Sequence, residues 1–323
     1  LQPLWLADIG FQLSFGAAAG LLWLLPACQR LLPQALPAPI GEAAAVSLAA
    51  QLVVLPLEVY YFHQISLIAL VSNIVLVPVL EITAQMALAG ALLHVCGDYL
   101  LQLAAWLVAQ VLTQARFFAE LPYSTVVIGK LPAYCFVIYY AALFVWADFP
   151  WLQFWSNRER RCILLLHAVL LVGTLAYQQC RTLPLACYFL DVGQGDGIVV
   201  EIENRWNILI DGGSTNKNEL GKYQLLPYLK SRGISRLDGI YVSHTDEDHI
   251  SGVRELLEFV EKDLTSLRIE NLILPKWSDI QENKNYRELT ELAESAGVRV
   301  LTVKAGDEIR YGTVRLKVLW PES

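Results

Sequence analysis

Four side chains able to ligate a metal fall in one short run, Ser243-His244-Thr245-Asp246-Glu247-Asp248-His249: His244, Asp246, Asp248 and His249. Imidazole and carboxylate are the donors of zinc and manganese sites. In an extended segment, side chains at i and i+2 point to the same side, so His244 and Asp246 can share one ion. Asp248 and His249 come where the chain turns into the helical pattern Ile250, Val253, Leu256, Leu257, and can face a second ion. Singly, each has a plainer role, Asp246 or Asp248 as a helix N-cap and a histidine after a strand as a structural group. All four together, after the apolar run Gly239-Ile240-Tyr241-Val242, read as a site for two divalent ions. His244, Asp248 and His249 are the residues expected to carry the catalysis.

Two turns upstream carry further polar groups. Asp191, Gln194 and Asp196 lie in the glycine-rich segment Phe189-Leu190-Asp191-Val192-Gly193-Gln194-Gly195-Asp196-Gly197, and Asp211 precedes Gly212-Gly213 after Ile208-Leu209-Ile210. Gly and Asp are ordinary turn residues. The alternative is that Gly193 and Gly195 let the backbone approach the metals or the substrate. Asp211 is expected to hold a metal-ligating imidazole by its other ring nitrogen.

These segments resemble a known family. The run from His244 is similar to the H-x-H-x-D-H motif of the metallo-β-lactamase superfamily, with Asp246 where the second histidine usually stands. The two upstream turns resemble the opening strands of one branch, the ComEC family of bacterial DNA-uptake proteins, in which an aspartate at that position is usual. Gly10-Phe11-Gln12-Leu13-Ser14-Phe15, and Ala50-Gln51-Leu52 through Leu55-Pro56, resemble the membrane competence region of the same family. The resemblance covers nearly the whole chain. It implies a four-layer αββα sandwich for the soluble part.

Composition divides the chain in the same way. Residues 1–180 hold six Lys or Arg and eight Asp or Glu, against eighteen and twenty-three in residues 181–323. The first part reads as a polytopic helical membrane domain. A span needs ~20 mostly apolar residues, and the stretches 11–28, 43–61, 99–118, 132–148 and 162–179 qualify. The stretch 65–96, with Pro78 and Glu81 near its middle, is expected to form a broken or re-entrant pair. Among polar residues in or near spans, Asp8, Gln12, Ser14, Gln51, Glu58, Asn73, Glu81 and Gln85 either line a passage or bond helix to helix. Arg158, Arg160 and Arg161, with Trp151 and Trp155 nearby, mark a cytoplasmic loop. The span after it then runs outward and leaves the C-terminal domain extracytoplasmic, where Cys180 and Cys187 could pair.

From residue 181 the pattern changes to short strands and helices. Strands are expected near 187–192, 197–203, 206–210, 238–242, 270–274, 298–303 and 313–319, and helices near 221–231, 250–260 and 284–296. That mixture is an α/β layered domain, the N-terminal portion of a truncated sandwich by the resemblance.

A net charge of −7 excludes a generally basic nucleic-acid-binding surface, although metal ions can supply the positive charge that phosphates require. Lys217, Lys222, Lys230, Arg232 and Arg236 are the local basic candidates, or a solvated helix face. The function expected is DNA uptake across the bacterial cytoplasmic membrane in natural transformation. One strand would pass through the membrane part, and the extracytoplasmic domain, with two zinc or manganese ions, would hydrolyse the other. The alternatives are a membrane-anchored hydrolase of a small or lipid substrate, and a DNA-guiding channel that does not cleave. DNA, the membrane and other DNA-uptake proteins are the expected partners. One of those proteins must supply energy, because the chain has no G-x-x-x-x-G-K-[ST] loop. The chain starts at Leu1 and ends just after a strand, whereas the superfamily's metal-bridging aspartate and a further histidine come later. An inactive fragment with a weak site is therefore expected.

Overall fold

The computed structural model describes residues 3–33, 35–93, 97–147, 156–180, 184–276 and 283–321. Trp151 and Trp155, expected at a membrane interface, lie outside the described residues, as do His94, Cys96 and the side chain of Cys180. Cys187 is a free, exposed thiol, so the Cys180–Cys187 pairing is not formed. The chain divides into two compact units, Leu1–Val126 with Leu131–Thr174, and Val127–Lys130 with Leu175–Ser323.

The first unit is helical. After a 3₁₀ turn at Pro3–Ala7 come α1 (Ile9–Leu31), α2 (Ala38–Phe62), the short strand β1 (Gln64–Ser66), α3 (Ala69–Leu92) and α4 (Gly97–Glu120). The strand β2 (Thr125–Val127), α5 (Ala133–Trp146) and α6 (Asn157–Cys180) follow. α1, α2 and α3 have 23, 25 and 24 residues and are apolar enough to cross a membrane. At 1.5 Å per residue each spans the ~30 Å hydrocarbon core. At most 22% of each apolar window is buried inside the protein. Large apolar side chains such as Leu22, Trp23, Val46, Val75 and Ile82 face outward, where hydrocarbon rather than water is the fitting solvent.

Three of the expected membrane elements need correction. The stretch 65–96 is no broken pair: α3 runs unbroken through Pro78 and Glu81. α4 is long but interrupted by Gln102, Gln110, Gln114 and Arg116, and it is not among the helices apolar enough to span. α5, with 14 residues, is a shorter apolar helix, whereas α6 runs Asn157–Cys180 across the expected stretch 162–179.

Small residues bring α1 and α2 together. Gly20 faces Ala49, and a Cβ on Gly20 would lie 2.3 Å from the Ala49 carbonyl oxygen. Cys28, Ala45 and Ala49 are buried with Leu24 around that seam, as expected where packing rather than water exclusion drives association. Pro56 stands inside α2 and has no N–H to give the carbonyl of Leu52. Tyr139 of α5 donates its hydroxyl to that carbonyl at 2.9 Å, and Tyr140 donates to the carbonyl of Val53 at 2.9 Å. Asp8 caps α1, accepting from the Phe11 amide at 2.8 Å, and Gln12 bonds Tyr61 of α2 at 2.7 Å. Both have structural partners.

The second unit is α/β. β3 (Leu185–Phe189), β4 (Ile198–Ile202) and β5 (Trp206–Ile210) form an antiparallel meander. A π-helical turn, Gly221–Leu225, leads into α7 (Leu226–Ser231). β6 (Arg236–Leu237), β7 (Gly239–Tyr241), α8 (Glu247–Glu261), β8 (Arg268–Ile269), β9 (Asn271–Pro275), α9 (Lys284–Ser295) and β10 (Arg299–Val303) follow. The described residues close with the hairpin β11 (Glu308–Tyr311) and β12 (Val314–Lys317). One sheet has the order β10-β9-β7-β5-β4-β3, parallel from β10 to β5 and antiparallel beyond.

Both faces of that sheet are covered, which explains why β4 and β5 read as nearly continuous apolar runs. Val199, Leu209 and Ile240 point to the helices, meeting Leu225, Leu229, Ile250, Val253, Leu256, Leu257 and Leu289. Val200, Ile202 and Ile208 point the other way and pack against Tyr311, Ile309, Val314 and Leu316 of the hairpin. The layers are thus helix, sheet, hairpin. No second helical layer outside the hairpin occurs among the described residues.

The basic candidates are mostly committed within the fold. Lys217 pairs with Asp191, Lys222 with Glu219, Arg232 with Glu201, and Arg236 with Asp238 and Glu270. Lys230 is half-buried, and that burial lowers its pKa. They form no basic strip.

Candidate metal centre

The centre lies at the carboxyl ends of β5 and β7, where α8 begins. α8 starts at Glu247, three residues before the expected 250, so Asp248 and His249 occupy its first turn. The helix is held there by its apolar stripe, Ile250, Val253, Leu256 and Leu257, all fully buried. Arg254 grips Glu247 through both nitrogens, at 2.9 and 3.1 Å, and that bond raises the guanidinium pKa. Asn285 of α9 donates to the Thr245 carbonyl at 2.8 Å and fixes the preceding loop.

His244, Asp248 and His249 offer three ligand atoms within 4.8 Å of one another. The two imidazole rings lie 3.8 Å apart, centroid to centroid. Asp246 is outside this group, with its carboxylate mostly exposed and 3.4 Å from Nε2 of His244. The structure thus groups His244, Asp248 and His249, with Asp246 at the rim beside His244.

The supports of the imidazoles come from elsewhere in the chain. Asp211, at the end of β5, is buried and takes a left-handed φ of 54°, a region Asp enters more readily than most residues. Its carboxylate accepts from the Ser243 amide at 2.8 Å and the Ser243 hydroxyl at 2.7 Å, and lies 3.1 Å from Nδ1 of His249. The Ser243 oxygen is in turn 3.0 Å from Nδ1 of His244 and 3.3 Å from Nδ1 of His249. The Asp211 carboxylate can only accept, so Nδ1 of His249 is the donor in that contact, while the Ser243–His244 contact forms with either tautomer of His244. Nε2 of each histidine is turned toward a carboxylate, Asp246 for His244 and Asp248 for His249.

This donor chemistry fits a divalent cation. Donors about 2.0–2.2 Å from a tetrahedral ion stand roughly 3.3–3.6 Å apart. Nε2 of His249 is 3.6 Å from Asp248, and Nε2 of His244 is 3.4 Å from Asp246. When bound, such an ion would polarise a phosphodiester and ease deprotonation of a water.

The glycine-rich turn touches the centre through one of its three polar side chains. Asp191 pairs with Lys217 at 3.3 Å, and Gln194 meets Thr215 at 3.3 Å. Asp196 faces His249, 3.8 Å from Nε2. The Asp211-Gly212-Gly213 turn crosses α8 closely: a Cβ on Gly213 would lie 2.4 Å from the backbone of Asp248 and His249. Ser243 is the residue to which sequence reasoning gave no role. Its position just ahead of His244 was the available signal.

Comparison with known proteins accords with both halves. Residues 1–153 match the Competence protein family model, and residues 190–262 match that of the metallo-beta-lactamase superfamily. ComE operon protein 3 of Bacillus subtilis (strain 168) is 27% identical over 350 aligned residues, covering 100% of this chain and 42% of that protein. Competence protein ComA of Neisseria gonorrhoeae is 28% identical over 256 residues, covering 78% of this chain and 34% of its own length. The uncharacterized protein YcaI of Escherichia coli (strain K12) is 26% identical over 262 residues, covering 79% and 33%. The chain thus spans less than half the length of these relatives. No solved structure matches it.

Proposed function

The chain joins a competence-family membrane region to a metallo-beta-lactamase superfamily domain, the make-up of the ComEC family, and on that premise we propose that it serves DNA uptake across the bacterial cytoplasmic membrane. The membrane unit contributes to the passage of one DNA strand. The α/β unit lies outside the cytoplasm and hydrolyses phosphodiesters of the strand left behind.

A single observation carries the reading. One chain places His244, Asp248 and His249 within ligand distance of one another and also supplies three helices long enough to span. An anchor needs only one such helix. His244, Asp248 and His249 bind zinc or manganese, with Asp246 completing the set, and Asp211 holds the His249 ring through Nδ1. Transport draws its energy from a partner.

Metal-dependent cleavage of DNA by a full-length parent and by its His244→Ala and Asp248→Ala variants tests this. Both substitutions are expected to abolish cleavage while leaving membrane insertion unchanged. Equal cleavage by either variant would defeat the assignment, and metal binding without any cleavage by the parent would favour a DNA guide.

A further inference from the structure

We propose that Asp196 is a further ligand of the cation held by His249 and Asp248, so that the glycine-rich turn closes one side of the centre. This rests on the reading that the histidine–aspartate group binds a divalent metal.

The turn is fastened to the centre by its backbone. The Asp196 amide donates to the carbonyl of Asp248 at 3.1 Å, and the Gly213 amide donates to the carbonyl of Asp196 at 3.1 Å. A Cβ on Gly195 would lie 2.2 Å from the Gly213 oxygen and 2.5 Å from the Asp248 oxygen. Only glycine allows that approach, and it sets Asp196 beside the first turn of α8.

The side chain then meets an unusual neighbour. Nε2 of His249 is flanked by two carboxylates, Asp248 at 3.6 Å and Asp196 at 3.8 Å. His249 is nine-tenths buried, and its Nδ1 is occupied by Asp211 and Ser243. Nε2 therefore faces two carboxylates at distances too long for hydrogen bonds. A divalent cation among the three would satisfy all of them at once, and the spacings approach those of donors sharing one ion. Asp191 and Gln194 have partners of their own, whereas the Asp196 carboxylate is turned to this nitrogen. A second carboxylate also hardens the donor set toward manganese or magnesium.

The test is Mn²⁺ binding by titration calorimetry to the detergent-solubilised chain, its Asp196→Asn and Asp191→Asn variants, and Asp248→Asn as a reference. Asp196→Asn is isosteric and keeps the backbone bonds, so its metal-free melting temperature should match the parent's. Its Mn²⁺ affinity should fall by at least the ~10-fold that loss of even an outer-shell partner causes, while Asp191→Asn binds as the parent does. Parental affinity in Asp196→Asn, with affinity lost in Asp248→Asn, would overturn the proposal and leave the metal reading standing. A parent that takes up no Mn²⁺ would overturn both. Asp196→Cys loaded with Co²⁺ should gain a thiolate-to-cobalt charge-transfer band absent from the loaded parent. Bound cobalt without that band would exclude direct ligation.

Discussion

The carboxylate of Asp211 stands 3.1 Å from Nδ1 of His249, both residues are buried, and they reach each other from different elements, the end of β5 and the first turn of α8. A ring held this way keeps its tautomer and its direction, so Nε2 always points into the centre. Asp211→Asn is expected to keep the fold, since asparagine tolerates the left-handed backbone that Asp211 adopts. Its metal affinity should drop by about 10–100-fold. Calorimetric titration beside a thermal melt checks this, and parental affinity would refute the role.

Tyr139 should matter to α2 only because Pro56 is there. Tyr139→Phe removes the donor to the Leu52 carbonyl, at a cost of about 0.6–1 kcal/mol in unfolding from detergent. Pro56→Ala restores an N–H at that step, and in its background Tyr139→Phe should cost clearly less. A double-mutant cycle without coupling would show the hydroxyl to be incidental.

Acid should loosen the hairpin before the rest of the α/β unit. Glu203 accepts from both the amide and the hydroxyl of Thr313, and those bonds hold its carboxyl below the ordinary value of 4.5. A lowered folded pKa means the bond contributes above the unfolded value and is lost as pH falls through the folded one. Exchange protection of the Thr313 amide should therefore be constant at neutral pH and fall below about 4.5. Glu203→Gln should flatten that dependence.

Asp263, exposed in the loop after α8, reports the side of the membrane on which the α/β unit lies. In a chain stripped of its native cysteines, Asp263→Cys should react with a membrane-impermeant maleimide in intact cells. Labelling only after the cells are broken would place the unit in the cytoplasm.

Much of this protein is written locally. The nearly continuous apolar runs of β4 and β5, buried on both faces, and the Ile250, Val253, Leu256, Leu257 stripe of α8, buried on one, are set by which residues stand next to one another in the chain. The metal motif is legible for the same reason, because its donors are close in sequence. Pro78, expected to break a helix, stands inside a continuous α3, since a proline removes one hydrogen bond while the other turns of the helix remain. Arg232 and Arg236, which sequence alone leaves unpaired, meet carboxylates distant in the chain, Glu201 and Glu270. Only the folded chain decided that Asp246 stands at the rim, that Ser243 joins both imidazoles, and that Asp196 and Asp211 converge on His249. Those relations rest on three loops crossing at Gly195 and Gly213 with no room for a Cβ. Periodicity along the chain carries no information about such crossings, which exist only once the sheet and α8 have packed.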